Sequence, residues 1–239
     1  MKKFLSVSNL FPVYIAVFCI LLLLSVGGSR VVTVLSENAE ISHRKVVVID
    51  PGHGGVDGGA TSCTGVLESN INLDISLRLN DLMHLMGIET VLIRDTDRSV
   101  YTQGTTIAQK KVSDLKQRVK IVNTQEDPLL ISIHQNHFTD SKYFGPQVFY
   151  GREEGSGAFA KEMQYALTNY LCPSSKRQAK IAKDVYLMNN ITCTAALIEC
   201  GFISNPEEEA KLLDAAYQKE LSCVIAAVCG NYLHGSSVT

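Results

Sequence analysis

"KVVVIDPGHGG", residues 45–55, decides how the rest of the chain is read. The β-branched run Val46–Ile49 predicts a strand buried on both faces. Pro51, Gly52, Gly54 and Gly55 break that strand at once. One imidazole, His53, is left on the bare loop at the strand's end.

Working outward, strand and helix patterns alternate. Ile71, Ile75, Leu79, Leu82 and Met86 recur at helical spacing, and Gly87 ends the run. Residues 89–94, "ETVLIR", predict a second strand. Ser113 has the character of an N-cap for a short helix carrying Leu115, Val119 and Val122. "LLISIH" (129–134) is a buried strand and "PQVFYG" (146–151) a shorter one. Residues 156–171 predict a helix with Phe159, Met163, Ala166 and Tyr170 on its inner face, closed by Pro173. "VYLM" and "AALIEC" (195–200) read as strands, and about 215–233 as the last helix. The alternation predicts an α/β domain over about 45–235, on a largely parallel sheet.

The chain has 239 residues, 46% of them hydrophobic, with a net charge of −2. That suffices for one core and gives no basic footprint for nucleic acid. Lys2 and Lys3 precede an uncharged run from Phe4 to Ser29, with an apolar heart from Leu10 to Val26. Residues 1–27 are therefore expected to be a membrane anchor or signal segment, and 28–44 a linker. Ser25-Val26-Gly27 offers a small-x-small cleavage pattern. The length of the apolar run favours retention. The paired lysines put the N-terminus in the cytoplasm and the domain outside, tethered to the membrane or secreted if cleaved. The seven cysteines are odd in number and form no CxxC, so no disulfide framework is expected. Cys200, Cys223 and Cys229 read as buried thiols.

In open α/β sheets, sites form beyond the carboxyl ends of strands. Those ends carry His53, His134 and Glu199, and the helix after the first strand opens at Glu68. Alone, each has a plain structural reading: a histidine can be structural, and Glu68 can simply suit a helix N-terminus. Together they predict a divalent metal site. Zinc commonly takes three His or Glu ligands and keeps a fourth position for water. His53, Glu68 and His134 would be ligands, and Glu199 the base in hydrolysis of an amide. His137, three residues on, rivals His134. Cys63 is a minor candidate for a soft ligand. Asp57 and Asn136 are either ligand-orienting partners or turn residues. His43, His84 and His234 read as surface residues. Arg94 and Arg118 fall inside elements and read as fold-holding rather than substrate-binding. Gly52, Gly54 and Gly55 would let the backbone pass close to the metal.

"VVVIDPGHGGVDGGA", Glu68, "LISIHQN" and "ALIECGFISNPEEEAKL" resemble, in order, the zinc-dependent N-acetylmuramoyl-L-alanine amidases of the amidase-3 class. The resemblance implies zinc on His53, Glu68 and His134 rather than His137, with Glu199 catalytic. It implies a mixed sheet of about six strands with helices on both faces, and peptidoglycan as substrate. The short chain, "SDLKQRVKIVN" and "VYLMNNIT" are most like the sporulation branch. That implies a role in muramic-δ-lactam formation in spore cortex, with the catalytic domain facing the cortex space. An open three-ligand site leaves room for an accessory protein that helps fill it. Oligomeric state has no signature in the sequence. Two alternatives remain: another zinc peptidase such as a carboxypeptidase, or a non-catalytic wall-binding domain whose metal holds the fold.

Overall fold

The computed structural model describes residues 45–235. The expected membrane segment and linker lie outside the described residues. Among the described residues no helix is long and apolar enough to cross a membrane.

The sheet consists of β1 (Val47–Pro51), β2 (Thr90–Leu92), β3 (Leu129–Asn136), β4 (Gln147–Tyr150), β5 (Lys180–Ile181) and β6 (Ala195–Phe202). Its order is β2-β1-β3-β6-β4-β5. β2, β1, β3 and β6 run parallel. β4 runs antiparallel to β6, and β5 follows β4. The sheet is therefore mixed and six-stranded, as expected.

Helices cover both faces. Alternate residues of β1, β3 and β6 divide the core in two, following the period of a strand. Val47, Ile49, Ile131 and Ile198 face α1 (Glu68–Leu85), α3 (Ser156–Leu171), α5 (Pro206–Leu213) and α6 (Ala215–Gly235). Val48, Leu130, Ala195 and Leu197 face α2 (Ile107–Asn123) and α4 (Tyr186–Asn190). His134 and Glu199 alternate onto the second face, at its carboxyl-end rim. Register aligns Asp50 with Ser132, and His134 with Glu199, so these polar residues form successive rows at the strands' carboxyl ends.

Several expectations need correction. α2 starts at Ile107, not near Ser113: Thr106 caps it, with Gln109 closing a capping box. Ser113 instead accepts from the backbone N–H groups of Thr102 and Gln103, each at 3.1 Å. "VYLM" is the start of α4 rather than a strand, because its apolar pair Leu187 and Met188 plugs the second core from one helical turn. Met86 sits at the exposed end of α1, and Met83 takes the inward position. Tyr170 is 77% exposed, since α3 has already turned past its buried stripe. Cys223 is exposed on α6, while Cys200 and Cys229 are buried. All six described cysteines are free thiols.

Candidate metal centre

The loop after β1 is shaped by two buried arginines. Arg94 donates to the carbonyls of Pro51 (2.9 Å), Gly52 (2.9 Å) and Ser69 (2.8 Å). Arg118 donates to the carbonyls of Pro51 (2.9 Å) and His53 (2.6 Å), to Asp114 (2.6 Å) and to Asp50. Asp50 also accepts from Ser132 Oγ at 2.6 Å. Burial opposes ionisation of Asp50, but Arg118 and Ser132 hold its carboxyl below the usual carboxylate range. Both guanidiniums are spent on backbone and carboxylate, so Arg94 and Arg118 belong to the scaffold.

Within that clamp His53 takes up the left-handed region, at φ 59°. Its Nδ1 donates to Asp57 Oδ2 at 3.0 Å, which turns Nε2 toward Glu68 Oε2, 3.3 Å away. Asp57 thus orients the His53 ring, and it also pairs with Lys111 at 2.9 Å. Asn136 takes part through its backbone, accepting from Ile203 N–H at 2.9 Å.

Glu68 is the first residue of α1. Loop carbonyls replace a side-chain cap there: Ala60 O accepts from Glu68 N–H (2.9 Å) and Gly58 O from Ser69 N–H (3.1 Å). The Glu68 carboxylate accepts from Ala60 N–H (3.0 Å), Gln135 N–H (3.2 Å), Asn72 Nδ2 (3.3 Å) and His134 Nδ1 (3.0 Å). Burial resists its ionisation, yet the His134 and His53 imidazoles hold it far below the usual range. Asn72 also donates to Gly52 O at 3.1 Å and accepts from Gln135 Nε2 at 3.1 Å. Sequence reasoning missed Asn72 and Gln135. Their one signal is polarity in the buried face of a helix and a strand.

Glycine matters at two points here. A Cβ on Gly52 would stand 2.3 Å from His134 Nε2, so the imidazole lies directly against bare backbone. Gly59, at φ +70°, would bring a Cβ within 2.5 Å of Glu68 Oε2. Gly54 and Gly55 serve otherwise than expected: their open sides face Arg94, Arg98 and Ser99 rather than the ligand cluster.

His53, Glu68 and His134 each offer a ligand atom, all within 4.8 Å of one another. His137 is exposed in the loop beyond β3 and stands outside the cluster. Cys63 likewise stands outside it, with Sγ near Ile203 O. Two ligand atoms on one tetrahedral zinc ion stand about 3.4 Å apart, given bonds of about 2.0–2.1 Å. His53 Nε2 stands 3.3 Å from Glu68 Oε2 and His134 Nδ1 stands 3.0 Å from Glu68 Oε1, so each imidazole lies near that spacing from its own oxygen of the carboxylate. Charge fits as well. Burial lowers the His53 pKa, but Asp57 and Glu68 outweigh it and raise the imidazole to about 9. A corner that draws protons this strongly also draws a cation.

Glu199 stands beside His134 on the next strand. Its Oε2 is buried without a hydrogen-bond partner among the described residues. Burial pushes its carboxyl up to about 7, against the pull of His134.

Residues 47–229 match the family model Amidase_3, N-acetylmuramoyl-L-alanine amidase. The germination-specific N-acetylmuramoyl-L-alanine amidase of Bacillus subtilis (strain 168) is 38% identical over 183 residues, 76% of this chain and 76% of that protein. The CwlD amidase from Clostridioides difficile, solved in complex with the GerS lipoprotein, superposes with a TM-score of 0.76 at 34% identity, covering 80% of this chain and 98% of that one. The catalytic domain of CwlV from Bacillus (Paenibacillus) polymyxa var. colistinus gives 0.65 at 31% identity, covering 80% and 98%. Rim, register and relatives agree, and the chain belongs to the Amidase_3 family of N-acetylmuramoyl-L-alanine amidases.

Proposed function

We propose that this protein is a zinc-dependent hydrolase of the amide bond between N-acetylmuramic acid and L-alanine in peptidoglycan. The observation that carries the reading is a juxtaposition. Three ligand atoms converge within 4.8 Å, and an unpartnered carboxylate oxygen lies on the adjoining strand. A structural metal needs the first and has no use for the second, which disfavours the wall-binding alternative.

His53, Glu68 and His134 would hold the zinc ion. When bound, zinc supplies Lewis acidity toward the carbonyl and toward water. The residues of the chain do the rest. Asp57 keeps the His53 proton on Nδ1 and leaves Nε2 free to ligate. Glu199 takes the proton of the attacking water on its open oxygen. It then returns that proton to the departing amide nitrogen, so one carboxylate serves as base and then as acid. A carboxyl already near neutrality suits both steps.

Setting also belongs to the proposal. A germination-specific relative at 38% identity supports a role in spore cortex maturation, through removal of stem peptides that precedes muramic-δ-lactam formation. The expected N-terminal segment supports an extracytoplasmic domain held at the membrane. The solved relative bound to a lipoprotein supports an accessory partner for this chain. The test is to replace Glu199 by Gln and measure bound zinc alongside peptide release from defined muropeptides. Zinc retained with cleavage lost supports the reading; unchanged cleavage removes Glu199 from it. Release of single amino acids in place of stem peptides would favour the carboxypeptidase.

A further inference from the structure

The rim does not end at Glu199. Gln147, the first residue of β4, is its register partner across the antiparallel β4–β6 ladder. Paired residues point to the same face, so Gln147 stands about 4.8 Å from Glu199 and about 10 Å from His134 along the sheet. From Gln147 a cavity of about 450 Å³ opens outward. Its lining includes Lys142, Lys176, Arg177 and Lys180, and no carboxylate.

Arg177 is the fixed member of this group. Its Nε donates to Phe144 O at 2.9 Å, and Nη1 to Gln147 Oε1 at 3.4 Å. The guanidinium lies 4.6 Å from the centroid of Phe202. Lys142 is paired with Asp140 at 2.7 Å. Lys176, Arg177 and Lys180 have no ion-pair partner among the described residues. A guanidinium stacked on an aromatic ring and held at its Nε edge is pre-organised to receive a carboxylate on its remaining N–H groups.

We infer that this cavity is a subsite for a carboxylate of the substrate's peptide, on the leaving-group side of Glu199, with Arg177 as the recognising residue. The inference rests on the amidase reading. In a muramoyl peptide the acid groups belong to the peptide: the residue after L-alanine is a glutamate whose α-carboxylate is either free or amidated. Extended chain advances about 3.3 Å per residue, which carries that carboxylate about 7–10 Å past the scissile carbonyl. That matches the reach from His134 to Gln147. Recognition here discriminates free-acid stems from amidated ones.

The experiment uses the full chain and two matched pairs of probes. L-alanyl-D-glutamate and its α-amide report binding by calorimetry, independent of cleavage. N-acetylmuramoyl-L-alanyl-D-glutamate and its α-amide report turnover in the presence of zinc. The native chain is expected to bind the acid about tenfold more tightly than the amide. Arg177→Gln is expected to raise KM for the acid about tenfold, with kcat and the amide's KM unchanged; Arg177→Lys restores part of the preference. Equal binding of acid and amide by the native chain overturns the subsite, as does an equal loss on both substrates in Arg177→Gln. If Arg177→Gln fails to fold, the exposed pair Lys176→Gln and Lys180→Gln must lower the acid preference about threefold, and an unchanged preference overturns it. A native chain that favours the acid dipeptide but cleaves neither muramoyl peptide supports the anion site and overturns the amidase reading instead.

Discussion

Glu68 and Glu199 both lie within the field of His134, yet their surroundings differ sharply. Glu68 receives backbone N–H groups from Ala60 and Gln135, an amide from Asn72 and a contact from each imidazole. Glu199 Oε2 receives nothing from the described residues. The first carboxylate is fixed in position and held ionised, which suits the proposed ligand role. The second has an open oxygen and a pKa raised by burial to about 7, which suits the proposed proton carrier. Burial and hydrogen-bond donors together set the two carboxylates apart on one rim.

The sharpest way to break this contrast is at Glu199. Glu199→Gln is expected to lower peptide release by about 10²–10⁴-fold, the usual worth of a positioned acid–base group. Zinc content by metal analysis should be unchanged, and the melting temperature unchanged or higher, because the substitution removes a charge that burial disfavours. Loss of zinc in this variant would make Glu199 a ligand and erase the contrast.

Next comes the scaffold beneath Glu68 and His53. Arg118→Met leaves Asp50 buried without its countercharge, which costs about 3–5 kcal/mol in urea unfolding. Acid probes the same pair without mutation. The folded Asp50 carboxyl is held below its ordinary value of about 3.8. The unfolded chain therefore takes up its proton first as pH falls. The stability from this group is present above about pH 4 and is lost as pH drops through the lower, folded value. Asp50→Asn should flatten that part of the pH–stability curve, and a curve left unchanged would remove Asp50 from the clamp.

Asp57→Ala releases His53 Nδ1 and should weaken zinc affinity by about 10–100-fold in competition with a chelator, the usual cost of losing a ligand-orienting partner. Smallest of all, Tyr170→Ser should shift stability by less than about 0.5 kcal/mol, because that ring lies in solvent on α3.

What was legible in the chain follows from the same physics. Buried strands announce themselves as apolar runs, so a polar residue at the end of one, such as His53, His134 or Glu199, stands out. Glu68 was legible because it opens a helical pattern. The clamp was legible only in part: Arg94 and Arg118 read as fold-holding from their place inside elements, but their carbonyl partners did not. Asn72 and Gln135 bond Gly52 O, Glu68 and one another, and such bonds leave no periodic trace. Length defeated the reading of β5, which has two residues, and of α4, whose apolar pair fits a strand or a helix equally. Local competition misplaced the start of α2, where Ser113 and Thr106 are both competent caps and only Thr106 is followed by Gln at the third helical position.

The reversed direction of β4 has a further consequence. β3 leaves the sheet at Asn136 and the chain returns at Gln147, having crossed the end of β6 between them. The bridge 137–146 is pinned on its way by Phe138 N–H to Ser204 Oγ at 3.0 Å and by Gly145 N–H to Glu208 at 2.7 Å. One of its ends lies two residues past His134 and the other at Gln147, the register partner of Glu199. Anything that grips this arch from outside therefore pulls on the strands of His134 and Glu199 at once.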